Sequence, residues 1–574
     1  MKYIWLILAL VLQVAAAGKP NILFIAIDDL RPSIGCYGNT VAVTPNLDRL
    51  ANRGVRFGQA HCQVAVCNPS RASLMTGLRP DTLGVWTLPI HFREAKPNAV
   101  TLPQWLRQHG YTAVGHGKIY HNPTPDPQSW SEPIRSVQFQ RGYPEGWQAR
   151  IREVQAKLPE NDWRKNNLRG PATAAPEVDD NKLVDGARTD LAIEDLRRLG
   201  QGEKPFFLAL GFIRPHLAWI SPKKYWELYD PKTLPVITDN KVTPNTPPYA
   251  LSNSYELTHY VDLINFPKPW DDQPVTDAVA RRLMHGYYAS VSYVDAQIGR
   301  LLTALNEEGL TDNTIIVLWS DHGWKLGEHN GWGKMSNYEI DTRVPFIITA
   351  PGLKTAGQAT DTPVELLDIF PTLCDLTGIP TPDFAQGKSL LPLLKNPTAK
   401  IDRVAHSQYY RRHDGAEYMG YAMRTATHRF VEWRDFGTGK VTASELYDHR
   451  EDHSETVNLI DNASVKLVQS LTARLLKTHP RQPLQMVPAV HSNPNRGRQP
   501  APLLIANKTD TIIRVYAITP RGQRSRRPHI VQPNATTRIA ARIGGVFVVE
   551  SRDGTIHEIH SPSFPSRTIN IKRK

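Results

Sequence analysis

Two apolar segments of the chain each end in side chains that can bind a metal ion. Residues 21–27 (NILFIAI) and 313–320 (NTIIVLWS) have the composition of strands buried on both faces. The side chains that follow them are Asp28, Asp29, Asp321 and His322. Three carboxylates at the carboxyl ends of neighbouring strands would repel one another unless a cation compensates them, and oxygen-rich ligation favours Ca²⁺ or Mg²⁺ over Zn²⁺. Taken alone, either pair could be a strand-end turn, and for the first pair alone that is the favoured interpretation.

A cysteine lies between these two segments, in the stretch Cys67-Asn-Pro-Ser-Arg71. This stretch and the residues that follow it, up to Gly77, are typical of a tight turn that leads into a helix. A helix N-terminus presents free N–H groups, which favour an anion. Taken alone, Cys67 could be either a reactive thiol or a small buried hydrophobe.

Strands alternate with helices between residues 18 and 400, which predicts a mostly parallel α/β sheet that positions these side chains. Further strands of this sheet are predicted at 205–212 and 343–350. Helices are predicted at 44–54, 101–110, 277–310 (one helix or two) and 363–378. Long surface loops are predicted at about 122–182 and 230–275, and loops of that length are usually functional or disordered.

Composition divides the chain into five parts. The predicted order is a signal peptide (1–17), a large α/β domain (18–400), a smaller C-terminal α+β subdomain (401–480), a Pro/Asn/Arg/Gln-rich linker (481–501) and a basic all-β module (502–574). Within the subdomain, an antiparallel β region is predicted at 419–448 and a closing helix near 463–477. No tandem repeat is present in the sequence.

The first residues of the chain predict export. Lys2, a short apolar run and the small residues at 15–17 are typical of a signal peptide. The apolar run is too short to span a bilayer, and no other segment has about 18 unbroken apolar residues, so we expect no membrane span. At most two disulfides could form, which is too few to staple an exported chain of this size. The cysteines are Cys36, Cys62, Cys67 and Cys374.

The composition excludes several classes of protein and suggests an anionic partner. With 574 residues, 40% of them hydrophobic, the chain is not disordered, collagen-like or a small disulfide scaffold. The formal charge is +13, and residues 501–574 carry most of the excess, with thirteen Lys and Arg against four acids. Such a charge suits nucleic acid, a membrane or an anionic polymer, but no nucleic-acid motif accompanies it. The basic module is therefore either a solvated surface or a holder of polyanionic glycan.

The motif C-x-P-S-R at Cys67 resembles the signature of the formylglycine-dependent sulfatases. The similarity extends from about residue 19 to about residue 478, and within the family the chain resembles the iduronate 2-sulfatase branch in particular. The matching stretches are 28–38 (DDLRPSIGCYG), 117–121 (GKIYH), 214–216 (RPH), 321–329 (DHGWKLGEH), 332–337 (WGKMSN) and 445–448 (ELYD). The resemblance implies an alkaline-phosphatase/sulfatase-like fold, in which helices flank a large, mostly parallel sheet.

The resemblance also implies a modified cysteine and a calcium ion. In the family, the cysteine is oxidised after translation to formylglycine (3-oxoalanine), whose hydrate attacks sulfur. Cys67 would accordingly be matured by a formylglycine-generating enzyme. One Ca²⁺ would be bound by Asp28, Asp29, Asp321, His322 and the modified Cys67.

Five further residues receive catalytic roles from the resemblance. Arg71 would orient the formylglycine hydrate. Lys118 and Lys334 would bind the sulfate and help the leaving alcohol. His121 would be the base that expels sulfate, and His216 would contact the sulfate or donate a proton. Each residue alone is more typical of an ordinary surface or core position, so these roles depend on co-occurrence with the cysteine motif.

The expected function is hydrolysis of a sulfate ester on a uronic-acid-containing, iduronate-type polysaccharide or oligosaccharide. Two alternatives remain: a phosphomonoester or phosphonate hydrolase of the same superfamily, and a non-catalytic protein that binds sulfated glycan. The expected location is secreted or periplasmic, or lysosomal if the protein is of animal origin.

Overall fold

The structure is a computed structural model with a seven-stranded mixed sheet at its centre. It describes residues 18–121, 125–237, 241–271, 275–485, 503–518, 525, 528–539, 546–551, 556–560 and 568–571. The predicted signal peptide lies outside the described residues, as does most of the predicted linker. The predicted domain boundaries therefore stay predictions.

The central sheet has the strand order β7-β2-β6-β5-β1-β4-β3. Its strands are β1 (Asn21–Ile27), β2 (Val55–Phe57), β3 (Thr112–Gly117), β4 (Phe206–Phe212), β5 (Thr314–Ser320), β6 (Phe346–Thr349) and β7 (Ala359–Thr360). Strand β6 is antiparallel to both of its neighbours, and all other neighbouring strands are parallel. The predicted fold class, a large and mostly parallel sheet, is confirmed.

Helices cover both faces of this sheet. They are α1 (Pro45–Ala51), α2 (Cys67–Thr76), α3 (Leu102–Gln108), α4 (Trp147–Lys157), α5 (Val184–Gly200), α6 (Asp277–Glu307) and α7 (Ile369–Thr377), with shorter helical turns between them. On β1, Leu23 and Ile25 pack in the same core cluster as α1, α5 and α6, whereas Ile22 and Phe24 pack with α2, α3 and α7. A strand that is buried on both faces needs apolar residues throughout, which explains its unbroken apolar sequence.

Two sequence predictions need correction. The predicted strand 343–350 is interrupted at Pro345, so that Arg343–Val344 joins a small three-stranded sheet and only β6 joins the central sheet. Proline has no N–H to donate to the central ladder, and the chain changes sheet there. The predicted loop 122–182 also contains α4, which covers little of the core because only Val154 of that helix is buried.

The region 277–310, predicted as one helix or two, forms the single helix α6 of 31 residues.

A four-stranded antiparallel sheet follows the α/β part of the chain. Its strands are β8 (Ala405–His413), β9 (Ala416–Arg424), β10 (His428–Asp435) and β11 (Val441–Asp448), and helix α8 (Val465–Thr478) packs against it. The prediction missed β8, which ends in the polar residues RRH. Seven strands follow in the described parts of the C-terminal region, namely β12 (Leu503–Asn507), β13 (Ile513–Ile518), β14 (His529–Val531), β15 (Thr536–Ile539), β16 (Val546–Ser551), β17 (Ile556–His560) and β18 (Thr568–Ile571).

A buried ion-pair cluster joins the four-stranded sheet to the segment that carries Lys334. The carboxylate of Glu455 accepts hydrogen bonds from the backbone N–H of Glu339 (2.8 Å) and from His449 Nε2 (2.8 Å), and it pairs with Arg429. Arg429 also donates to the carbonyl of Asn337. Because both charges are satisfied within the protein, this cluster holds the 334–339 segment in place.

All four cysteines are free thiols, and among the described residues no helix is long and apolar enough to cross a membrane.

Candidate active site

The carboxyl ends of β1 and β5 bring the predicted metal-binding side chains together. Ile27 pairs with Ser320 in the parallel ladder, so Asp28 and Asp321 leave the sheet side by side. The backbone N–H of Asp29 donates to Asp321 Oδ1 at 3.2 Å, which fixes the two strand ends relative to each other. The side chains of Asp28, Asp29, Asp321 and His322 are all buried.

Cys67 lies at the first position of helix α2, directly above these acids. Its Sγ atom is 3.5 Å from Asp28 Oδ1 and 3.3 Å from His322 Nε2. One ligand atom each from Asp28, Cys67, Asp321 and His322 lies within 4.8 Å of the others. A helix and two strands that are far apart in sequence thus converge on one point.

The donor set fits a hard cation. Asp29 has a left-handed backbone (φ 63°), and its Oδ2 atom is buried with no hydrogen-bond partner among the described residues. Burial raises the pKa of Asp29, and the neighbouring Asp28 raises it further against the opposing effect of Lys334. A buried carboxylate oxygen without a partner is costly, and a bound cation would satisfy it. Carboxylate oxygens with one imidazole form a chemically suitable ligand set for such an ion.

Three cations surround the carboxylates. Lys334 Nζ donates to Asp29 Oδ1 at 2.7 Å, and Lys118 Nζ forms an ion pair with Asp28. Arg71 is fully buried and bridges the two strand ends, with Nε 2.8 Å from Asp321 Oδ2 and Nη2 3.1 Å from Asp28 Oδ1. Burial would raise the pKa of Asp28, but Lys118, aided by the other nearby cations, holds it well below its usual range. Asp28 is therefore an anion in the folded protein.

Both lysines also face the cysteine. Lys118 Nζ is 3.6 Å and Lys334 Nζ is 3.7 Å from Cys67 Sγ. Burial opposes the charged form of each lysine, yet Asp28 raises the pKa of Lys118 and Asp29 raises that of Lys334. Two ammonium groups close to one atom form a site for an anion.

The unmodified thiol of Cys67 is poorly suited to nucleophilic attack. Burial and the nearby Asp28 carboxylate raise its pKa well above the usual range, so the sulfur stays protonated. Reactive cysteines normally have a lowered pKa and react as thiolates. The position of the side chain suits chemistry, whereas the thiol itself does not.

A cavity of about 410 Å³ opens above Cys67. Its polar lining includes Cys67, Lys118, His121, His216, Glu256 and Lys334. All the residues that the sequence predicted to be catalytic thus lie at this cavity, except Arg71, which lies beneath it and contacts Asp28 and Asp321.

The two histidines of the cavity differ in their surroundings. Burial and the positive charge of Lys118 hold the pKa of His121 well below its usual range, so this ring is neutral near pH 7. His216 contacts two acceptors, the carbonyl of Leu217 at 2.7 Å from Nδ1 and the Glu256 carboxylate at 3.0 Å from Nε2. Only a protonated imidazole donates from both nitrogens. Both nitrogens of His216 are thus engaged by acceptors of the protein, whereas the His121 ring is neutral.

The sequence analysis missed Glu256. Its carboxylate is 3.4 Å from Lys334 Nζ as well as 3.0 Å from His216, and these cations lower its pKa well below its usual range although burial opposes this. The residue lies in the region 230–275, which has no chemical motif, so no local signal distinguishes it from other acids. Trp324 is fully buried in the core beneath Lys334.

The carboxyl edge of this α/β sheet carries a cavity that is lined by cations and has carboxylates at its base. Such a site is typical of an enzyme that hydrolyses anionic esters. The chain belongs to the sulfatase family, whose profile matches residues 20–379, and it is a sulfuric ester hydrolase. A second profile, for the C-terminal part of N-sulphoglucosamine sulphohydrolase, matches residues 327–481.

Individual relatives agree with this family. The chain is 32% identical to iduronate 2-sulfatase of Mus musculus over 77% of this chain and 91% of that protein. It is 33% identical to a sulfatase of Formosa agariphila, over 80% of this chain and 87% of the relative.

Solved structures share the fold. One is a protein in complex with its substrate D-glucosamine-2-N,6-O-disulfate (TM-score 0.62, 23% identity, 81% of this chain and 98% of the other). Another is a phosphonate monoester hydrolase from Silicibacter pomeroyi (TM-score 0.60, 22% identity, 82% and 99%).

We predict that Glu256→Gln lowers kcat/KM by about tenfold, because the neutral amide no longer holds the Lys334 and His216 cations in place. Glu227→Gln is the matched control, since among the described residues this exposed glutamate forms an ion pair only with the surface residue Lys223, at 3.7 Å. Steady-state kinetics on an aryl sulfate would measure both variants. Equal kcat/KM for Glu256→Gln and wild type would show that Glu256 does not position the site.

Proposed function

We propose that the protein hydrolyses a sulfate ester on a uronic-acid-containing, iduronate-type saccharide, with Cys67 converted to formylglycine. The observation that carries this proposal is the position of Cys67, whose Sγ lies within 3.7 Å of both lysines and of the carboxylate of Asp28. The relative in Mus musculus that is 32% identical is an iduronate 2-sulfatase, which supports the substrate class.

The proposed metal is one calcium ion. It would be held by Asp28, Asp29, Asp321, His322 and the modified Cys67, a set that the unsatisfied Asp29 Oδ2 supports. When bound, the ion would polarise a sulfate oxygen and lower the repulsion between an anionic ester and its nucleophile.

Formylglycine supplies an aldehyde hydrate, whose hydroxyl group can act as a nucleophile, whereas the protonated thiol of Cys67 cannot. The chain's own residues then have distinct roles. Lys118 and Lys334 bind the sulfate from two sides, because both ammonium groups point at position 67. Arg71 holds Asp28 and Asp321 in register beneath them and so orients the hydrate indirectly.

The histidines divide the proton transfers. His216 would contact the sulfate or donate a proton to the leaving alcohol, and either role requires its Nε2 to exchange the contact with Glu256 for one with the substrate. His121, neutral because burial and Lys118 lower its pKa, would accept a proton when sulfate is released. Glu256 is a positioning residue in this scheme.

Export of the protein, through the signal peptide predicted at 1–17, is part of the proposal, as is maturation by a formylglycine-generating enzyme. Extracellular and periplasmic compartments are where sulfated polysaccharides would meet a secreted enzyme, whereas a lysosomal location applies if the protein is of animal origin.

We predict that the protein releases sulfate from 2-O-sulfated iduronate disaccharides and aryl sulfates faster than it releases phosphate from aryl phosphates. Cys67→Ala removes the residue that would become the nucleophile, so sulfate release should fall to background. Ion chromatography of sulfate and phosphate would measure both activities. Cys62→Ala is the control, since this buried cysteine lies outside the cavity.

Four outcomes would contradict this proposal. Full activity of Cys67→Ala would overturn the role of that residue. Faster phosphate than sulfate release would favour the phosphoester alternative. If mass spectrometry of the Cys67 peptide shows only thiol in an active sample, the proposed conversion to formylglycine is wrong. If it shows only thiol in an inactive sample, the non-catalytic alternative is favoured.

We predict that calcium raises the melting temperature of the chelator-treated protein, because an ion that binds only the folded state stabilises it. At a calcium concentration of about 100 times Kd the gain would be roughly 2.7 kcal/mol. Differential scanning fluorimetry with Ca²⁺ and with Mg²⁺ would measure the shift. Asp321→Asn should reduce it, whereas Asp312→Asn, on the surface before β5, should not. An absent shift in the wild-type protein would contradict the metal site.

We predict that activity persists below pH 6.5, the ordinary pKa of histidine, because the lowered pKa of His121 keeps the ring neutral in mildly acidic solution. Protonation at still lower pH would remove the base, so kcat would fall there. His121→Ala should lower kcat by roughly 10²–10⁴-fold and remove this limb of the pH profile. If the kcat of the wild-type protein already falls at a pH above 6.5, His121 is not the base.

A further inference from the structure

A second cavity, of about 380 Å³, adjoins the active-site cavity. Arg169, Ile213 and Leu217 line both cavities, so they form a shared wall between the two. The second cavity lies among the loop at 139–143, the start of helix α5 and the 213–220 loop that carries His216. We call it the arginine cavity because of the side chains described next.

Four arginines line the arginine cavity, and none of them forms an ion pair with a carboxylate among the described residues. They are Arg141, Arg169, Arg188 and Arg214. The single acid in the described lining is Asp185, and its two oxygens already accept the backbone N–H groups of Ile213 and Arg214, each at 2.9 Å. The cavity therefore has a clear excess of positive charge.

The arginines have neutral partners or none. Arg214 donates to the carbonyls of Ile220 (3.0 Å) and His216 (3.2 Å), and Arg169 donates to the Tyr260 hydroxyl at 3.2 Å. Nη1 of Arg188 is buried and has no hydrogen-bond partner among the described residues. Burial, aided by the charge of Arg214, lowers the pKa of Arg188 although Asp185 opposes this. A buried guanidinium nitrogen without an acceptor is costly, and an anionic ligand would supply the acceptor.

We infer that the arginine cavity binds a second anionic group, a carboxylate or a sulfate group, on the same saccharide whose sulfate ester is hydrolysed at Cys67. Guanidinium groups present a planar fork of donors that matches both anions. The tyrosines Tyr143 and Tyr260 in the lining offer flat apolar faces to a sugar ring. This inference rests on the proposed function and makes the preferred substrate a saccharide with at least two anionic groups.

The shared wall explains how one ligand would reach both cavities. The backbone N–H of Arg169 donates to the carbonyl of His259 at 2.8 Å, and His259 lines the active-site cavity. On the other side of the wall, Arg214 and His216 belong to one short loop, and the Arg214 side chain holds that loop through the His216 carbonyl. The two cavities therefore lie next to each other, as a ligand with two neighbouring anionic groups requires.

Binding of inactive protein to defined ligands tests this inference directly. The Cys67→Ala protein would be titrated calorimetrically with an N-sulfated tetrasaccharide that contains 2-O-sulfated iduronate. We expect Arg188→Gln in this background to weaken binding by about tenfold, the size of one charge-assisted hydrogen bond. Arg188→Lys should restore part of the loss because it keeps the charge. Arg53→Gln, an exposed arginine just before β2, is the matched control and should bind like the parent.

Two modified ligands identify the group that is bound. If the parent protein binds the carboxyl-reduced tetrasaccharide more weakly, and Arg188→Gln causes no further loss with that ligand, the cavity binds the carboxylate. The same pattern with the ligand that lacks N-sulfate would assign a sulfate group, the N-sulfate of the sugar, to the cavity. Equal binding of all three ligands by the parent, or equal binding by Arg188→Gln and Arg53→Gln, would overturn the inference.

Two further measurements keep the result interpretable. If the melting curve shows that Arg188→Gln does not fold, Arg141→Ala is used instead. Arg141 is exposed, and its side chain forms no hydrogen bond among the described residues. Aryl sulfate hydrolysis by the wild-type protein is measured in parallel. An active enzyme without the binding difference would overturn the second anion site alone, whereas an inactive enzyme would count against the proposed function.

Discussion

The structure depends on the neutralisation of three buried carboxylates at one edge of a sheet. Asp28, Asp29 and Asp321 lie close together without access to bulk water, which is unfavourable unless positive charge is equally close. Lys118, Lys334 and Arg71 supply it from three different parts of the chain. The three cations balance the three acids, so the charge of a bound metal ion would remain available for an incoming sulfate anion.

This balance also explains why the cavity takes its shape from so many elements. The acids leave the parallel strands β1 and β5, position 67 opens helix α2, and Lys118 follows strand β3. Lys334 comes from a segment that the four-stranded sheet holds in place through Glu455 and Arg429. Loops supply the remaining groups, among them Glu256, because a sheet edge offers few positions and the substrate must be contacted from above.

Charge is distributed differently in the sequence and in the folded molecule. By composition, the basic excess lies mainly in residues 501–574, where a glycan contact is one of two alternatives and a solvated surface is the other. The folded chain also collects four arginines beside the active site, all of them from residues 141–214 and so outside that basic tail. Asp185 lies close to Arg188 in sequence, but its carboxylate accepts hydrogen bonds from two backbone N–H groups and forms no ion pair with an arginine among the described residues.

The sequence by itself determined the strands that are buried on both faces, the helices with proline at the start and glycine at the end, and the residues at strand ends that carry chemistry. These signals are local, because burial on two faces and helix termination each select residue types within a few positions. The C-x-P-S-R motif was equally local, and it indicated the family. Only the tertiary structure decided that β6 runs antiparallel, that Arg71 lies beneath the acids, and that Glu256 and the four arginines adjoin the cavity. Those contacts join residues that are distant in sequence, and pairing between such residues is fixed by packing and charge balance across the whole fold, which no short stretch of sequence records.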